Sequence, residues 1–125
     1  MIINLSWNGG AGKMTLDLDA LLNDDAITVY KLMGFVKDQA YENPEALTAT
    51  VDYLESEIEL YYMATLTAEE NFKANPQGSY AWRRYKREVI NCGRIFRRLH
   101  KALNIVTGKP ITLDERIDII KKRVG

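Results

Sequence analysis

Two long segments joined by one short turn constrain this chain more than any other feature. In the first, apolar or small residues fall at Leu47, Val51, Leu54, Ile58, Tyr61, Thr65, Ala68 and Phe72. In the second they fall at Trp82, Tyr85, Val89, Cys92, Phe96, Leu99 and Leu103. Both series alternate steps of three and four, the pattern of a seam along one helix face. Between them, Ala74-Asn75-Pro76-Gln77-Gly78 is a turn by composition, and Ser79 stands where a helix N-cap belongs. Pro44 likewise suits a first helical position, where its missing N–H costs nothing. A short turn between two such segments predicts an antiparallel helical hairpin over residues 44–74 and 79–105.

The remaining segments are shorter. Ile2–Trp7 and Met14–Asp19 flank a glycine-rich turn, and Met14, Leu16 and Leu18 alternate with polar residues. A period of two predicts a β-hairpin over 1–20 with one buried face, which must pack on the helices because an isolated hairpin is marginal in water. Asn23-Asp24-Asp25 supplies cap residues for a helix over 24–42, with Ala26, Val29, Tyr30, Met33, Val36 and Ala40 at helical spacing. Gly34 weakens that helix by about 1 kcal/mol relative to alanine. Thr112 and Glu115 form a capping box for a last helix over 113–124, burying Leu113, Ile117, Ile120 and Val124. Leu60, Tyr62, Met63 and Leu66 broaden the apolar surface of the first long segment, which predicts cover on two sides there. Thr67-Ala68-Glu69-Glu70 resembles a second capping box and marks a break near residue 66. The expected fold class is α+β, mainly α: an N-terminal β-hairpin packed on a helical bundle around a central long antiparallel helix pair. All 125 residues are expected to form one domain, large enough to bury about two-thirds of its unfolded surface.

Several classes are excluded at this level. No apolar run approaches the roughly 18 residues of a membrane span. The first ten residues lack the charged and long apolar regions of a secretory signal. Cys92 is the only cysteine, so no internal disulfide forms. A cytoplasmic protein with no membrane partner is the expectation.

The glycine turn, Asn8-Gly9-Gly10-Ala11-Gly12-Lys13-Met14-Thr15, resembles the variant phosphate loop of partition-type ATPases over about eight residues. That resemblance implies a magnesium-binding Ser or Thr where Met14 stands and an opening lysine where Asn8 stands. The alternating residues that follow read as a strand, instead of the helix whose N-terminus would hold phosphate, so a plain hairpin turn is expected. Leu5-Ser6-Trp7 with Leu16-Asp17-Leu18-Asp19-Ala20 is similar to the start of calcium-binding tellurium-resistance stress proteins. The resemblance implies a calcium role for Asp17 and Asp19, which would share one strand face. Calcium takes six to eight oxygens, and these two with Asp24 and Asp25 fall short. Cys92 occupies the seam as a small hydrophobe, and His100 has no nucleophile or metal-ligand spacing around it. The chain is therefore expected to be no enzyme, with no catalytic residue, metal site or cofactor.

What remains is charge. Residues 1–76 hold four Lys or Arg against 13 Asp or Glu, and residues 77–125 hold 13 against four. On the second long segment Arg83, Arg84, Arg87, Arg94, Arg97, Arg98 and Lys101 lie away from the seam, while Lys86 and His100 flank it. At 1.5 Å per residue this stripe covers about 27 Å. Arginine suits bidentate contacts to carboxylate or phosphate. Duplex DNA offers a charge about every 1.7 Å of axis, and Tyr80, Trp82 and Tyr85 lie among the first arginines. Three readings follow. The stripe docks an acidic protein surface, as an adaptor, assembly factor or inhibitor does; it contacts nucleic-acid phosphates; or it is a solvated helix face without a partner, part of its charge neutralised by the acidic helix beside it. The seams of residues 44–74 and 79–105 could also join those of a second copy in a homodimer.

Overall fold

The computed structural model describes residues 1–125. Ile2–Trp7 (β1) pairs antiparallel with Gly12–Asp17 (β2), Ile3 opposite Leu16 and Leu5 opposite Met14. The connecting turn takes Asn8, Gly9 and Gly10 into the left-handed region, with φ of 54°, 64° and 93°, which glycine and asparagine tolerate best. Gly12 is needed for a different reason. A Cβ there would lie 2.1 Å from the Trp7 ring, and Trp7 is itself held edge-on against Phe35 at 5.3 Å. A strand follows the turn directly, so the turn faces no helix N-terminus.

The hairpin buries Ile3, Leu5 and Leu16 on one face. It departs from expectation at its end. β2 stops at Asp17, whose carboxylate accepts the Asp19 N–H and caps a four-residue helix, Leu18–Leu21 (α1). Leu18 is buried from this helix rather than from a strand, and Asp17 and Asp19 do not share a strand face.

Asp25 caps Ala26–Asp38 (α2), accepting from the N–H groups of Ile27 and Thr28. Val29, Met33 and Val36 form its buried face. Pro44–Ala74 (α3) begins with proline, as expected. Asn43 makes no side-chain cap; its amide instead accepts from Ser6 N at 2.9 Å and donates to Ser6 O at 2.7 Å. It thereby ties the start of α3 to β1. The break expected near residue 66 is absent: α3 is continuous, held at its far end by buried Ala68 and by Phe72 stacked 5.0 Å from Trp82. Tyr80–Thr107 (α4) is capped by Ser79, packs along α3, and ends at Gly108 in the left-handed conformation. Leu113–Val124 (α5) has the full capping box of Thr112 and Glu115.

The core lies where α3 begins and α4 ends. Leu54 and Ile58 meet Leu99, Ala102, Leu103 and Val106 there, with α2, the hairpin and Ile120 of α5 around them. Beyond it, residues 60–92 contain a single buried side chain, Ala68. The expected cover on two sides of this half is therefore not present. Leu60, Met63, Leu66 and Ile90 are exposed, because α1, α2 and the hairpin extend alongside only the other half of the pair. The far end of α3 and α4 is a two-helix arm. On α5, Ile120 is buried as expected, but Val124 is exposed and Arg116 takes an inward place instead. No helix is long and apolar enough to cross a membrane.

Candidate docking surface on the basic helix

The seven cations of the stripe divide into two groups. Arg83, Arg87, Arg94 and Arg97 are exposed, and none makes an ion pair or a side-chain hydrogen bond within the chain. From Arg83 to Arg97 they extend about 21 Å along α4. The other three are engaged. Arg84 pairs with Glu88 at 3.6 Å and lies 5.8 Å from the Tyr85 ring centroid. Arg98 is half-buried and donates to the carbonyls of Leu22, at 2.9 Å, and Asp24, at 2.5 Å. It fastens the loop between α1 and α2 to α4 and so belongs to the fold. Lys101 stands 4.5 Å over the ring of Tyr30 on α2, a cation–π contact.

The two residues flanking the seam serve the fold as well. Lys86 lies 5.0 Å over Trp82. His100 accepts at Nδ1 from Arg116 Nε at 3.3 Å, and Arg116 also donates to Asn104 Oδ1 at 2.8 Å. Asn104 in turn donates to the Ile111 carbonyl at 2.9 Å, which fixes the entry to α5. Burial, reinforced by the neighbouring Arg116 charge, holds the His100 pKa below its ordinary value. Cys92 is half-buried, and burial pushes its thiol pKa up, away from the reactive thiolate.

No ion pair links α3 to α4, since both charged faces point away from the shared seam. The α3 carboxylates that do find a partner, Glu55 and Glu59, meet Arg123 of α5 at 2.9 and 3.0 Å.

Beside the stripe lies a feature that the seam pattern did not reveal. Where α5 stops covering the helix pair, a cleft of about 330 Å³ opens between α3, α4 and α5. Its apolar lining comes from Tyr62, Leu66, Phe96, Leu113 and Ile117, with the Tyr62 and Phe96 rings 6.1 Å apart. Glu69, Arg97 and Lys121 contribute its charge. The available signal was Leu66, apolar yet off the seam; without the position of α5 it identified no cleft.

Elsewhere, Asp17 caps α1 and Asp19 accepts a hydrogen bond from the Tyr53 hydroxyl. No group of three or more His, Cys, Asp or Glu side chains is placed to share a metal ion. Compared with known protein families, characterised proteins and solved structures, the chain matches none of them.

Proposed function

We propose that this protein is a non-enzymatic binding module that docks an acidic protein surface through the outer face of α4. The observation that carries this reading is the set of four exposed arginines, Arg83, Arg87, Arg94 and Arg97, left without partners inside the chain. Such a stripe raises the rate of encounter with a negative partner, and each guanidinium can hold a carboxylate with two parallel hydrogen bonds.

A protein partner is favoured over nucleic acid by Ile90. It is 59% exposed and stands three residues after Arg87 and four before Arg94, on the same face. Protein interfaces combine an apolar centre with arginine, whereas a phosphate backbone gives an isoleucine nothing to cover it. Of the three aromatic residues placed to stack bases, Trp82 and Tyr85 are half-buried, Trp82 against Phe72, and Tyr80 alone is exposed.

The test is affinity capture from the native cell extract with the full chain and with an Arg87→Glu/Arg94→Glu variant. Retention of an acidic protein by the wild type alone supports the reading. Light scattering with short duplex DNA and single-stranded RNA, at low and physiological salt, runs beside it. Nucleic acid as the bound material, or identical capture by both chains, sinks the proposal.

A further inference from the structure

We infer that the cleft between α3, α4 and α5 anchors this docking: it takes a bulky apolar side chain carried on an acidic helix of the partner, whose carboxylates meet Arg97 and Lys121. The acidic character of the occupant rests on the function proposed above; the cleft itself is a separate feature of the fold. Three observations converge on it.

The first is its chemistry. A cleft of about 330 Å³ is at the small end of the range for ligand sites, about 300–1,000 Å³. That is room for an anchoring side chain or two, set against the apolar floor of Tyr62, Leu66, Phe96 and Ile117.

The second is Gly93, in the middle of α4 and in the wall of the cleft. Glycine is a poor residue in a helix interior. Here the chain's own packing does not require it: its φ is not left-handed, and a Cβ built on it meets nothing nearer than an Arg97 guanidinium nitrogen at 3.7 Å. What glycine does at this position is keep the cleft open and let another backbone come close to α4.

The third is continuity with the arginine stripe. Arg97 belongs to both surfaces, and Ile90 lies two turns before it on one face of α4. A helix laid along that face covers Ile90 and delivers a side chain into the cleft. Lys121, from α5, supplies a second cation and makes no ion pair within the chain. Glu69, on the α3 side, orients the occupant by repelling its carboxylates toward α4 and α5.

The test is a display library of helical 18-residue peptides with randomised apolar and acidic positions, selected against the wild-type chain. Binding of the selected peptides is then measured by fluorescence polarisation. Gly93→Met fills the cleft while replacing glycine with a strong helix former, so it is expected to melt no lower than the wild type. Selected peptides should combine a bulky apolar residue with several carboxylates, and Gly93→Met should weaken them at least tenfold. Arg97→Glu should weaken them by a similar factor. Equal affinity for Gly93→Met and wild type overturns the anchor, as does a selection that enriches no acidic peptide. If the selected peptides respond to Arg87→Glu/Arg94→Glu but not to Gly93→Met, the stripe stands and the anchor falls. Sensitivity to Gly93→Met alone leaves the anchor standing and removes the stripe. Sedimentation closes the remaining route: a wild-type dimer that Gly93→Met dissociates would make a second copy the occupant and refute an acidic partner helix.

Discussion

Arg116 is a buried cation whose hydrogen bonds go to neutral groups, His100 and Asn104, rather than to a carboxylate. That choice makes His100 one of the residues through which pH reaches the fold. In the native chain its pKa lies below the ordinary value, through burial first and the Arg116 charge second. The unfolded chain regains the ordinary value of about 6.5, so on acidification it takes up the proton before the native state does. Stability from this site is therefore complete above about pH 6.5 and is lost as pH falls from there toward the native pKa. Melting followed by circular dichroism from pH 7.5 to 5.0 should show a declining midpoint, and His100→Gln should flatten that decline. Arg116→Met should cost about 1–3 kcal/mol by stripping donors from two half-buried acceptors, and should raise the His100 pKa seen by NMR. A variant with unchanged His100 titration would contradict the contact. Some of this scale was legible in the sequence: His100 and Lys86 flank the seam by spacing alone, and both serve the fold. Arg98 was not legible as a fold residue, because its partners are the carbonyls of Leu22 and Asp24, more than 70 residues away.

At the scale of elements, local signals were read where local chemistry decides. Ser79, Pro44 and the Thr112–Glu115 box all stand at helix starts. Thr67 carries the same signal without effect, because the α3–α4 seam continues past it through Ala68 and the Phe72–Trp82 stack. Asn43 occupies the position before Pro44 without capping α3, because its amide bonds Ser6 of β1 and the Gln39 carbonyl instead. The glycines separate in the same way. Gly34 is helical, and a Cβ there reaches only Ile105 at 4.0 Å. Gly34→Ala should therefore stabilise the chain by about 0.5–1 kcal/mol through the helix interior. Gly12→Ala places its methyl carbon 2.1 Å from the Trp7 ring, which packs edge-on against Phe35. Overpacking of that kind should cost about 1–3 kcal/mol. Urea midpoints for the two variants should move in opposite directions; a Gly12→Ala midpoint that does not fall would show that the Trp7 ring yields to the added methyl, and a Gly34→Ala midpoint that does not rise would refute the gain in α2.

For the whole molecule, the division of charge was plain in the sequence, but its fate was not. Spacing alone said that α3 and α4 share a seam with the α4 cations away from it; it could not say that no α3 acid pairs across with them, leaving Glu55 and Glu59 to Arg123 and four arginines unpaired. Nor could it say how far the other elements reach along the pair. The consequence is a gradient of burial: Leu54, Ile58, Leu99 and Leu103 are closed on all sides, while the arm from residue 60 to residue 92 buries only Ala68. Local opening costs least where few apolar contacts must be broken. In native-state hydrogen exchange, amides around Ala68–Phe72 and Trp82–Val89 should therefore exchange through local opening, well before those of Leu54, Ile58 and Leu99. Exchange at the second set should track global unfolding. Uniform protection along the full length of α3 would mean that something covers the arm in solution, and a concentration series would then show whether a second copy does so. If instead the arm exchanges early in the free chain and slows when a partner is added, the element that carries the arginines is also the element that binding orders. Such a module pays part of its ordering entropy on docking, so affinity should improve in variants that stiffen the arm without touching its outer face.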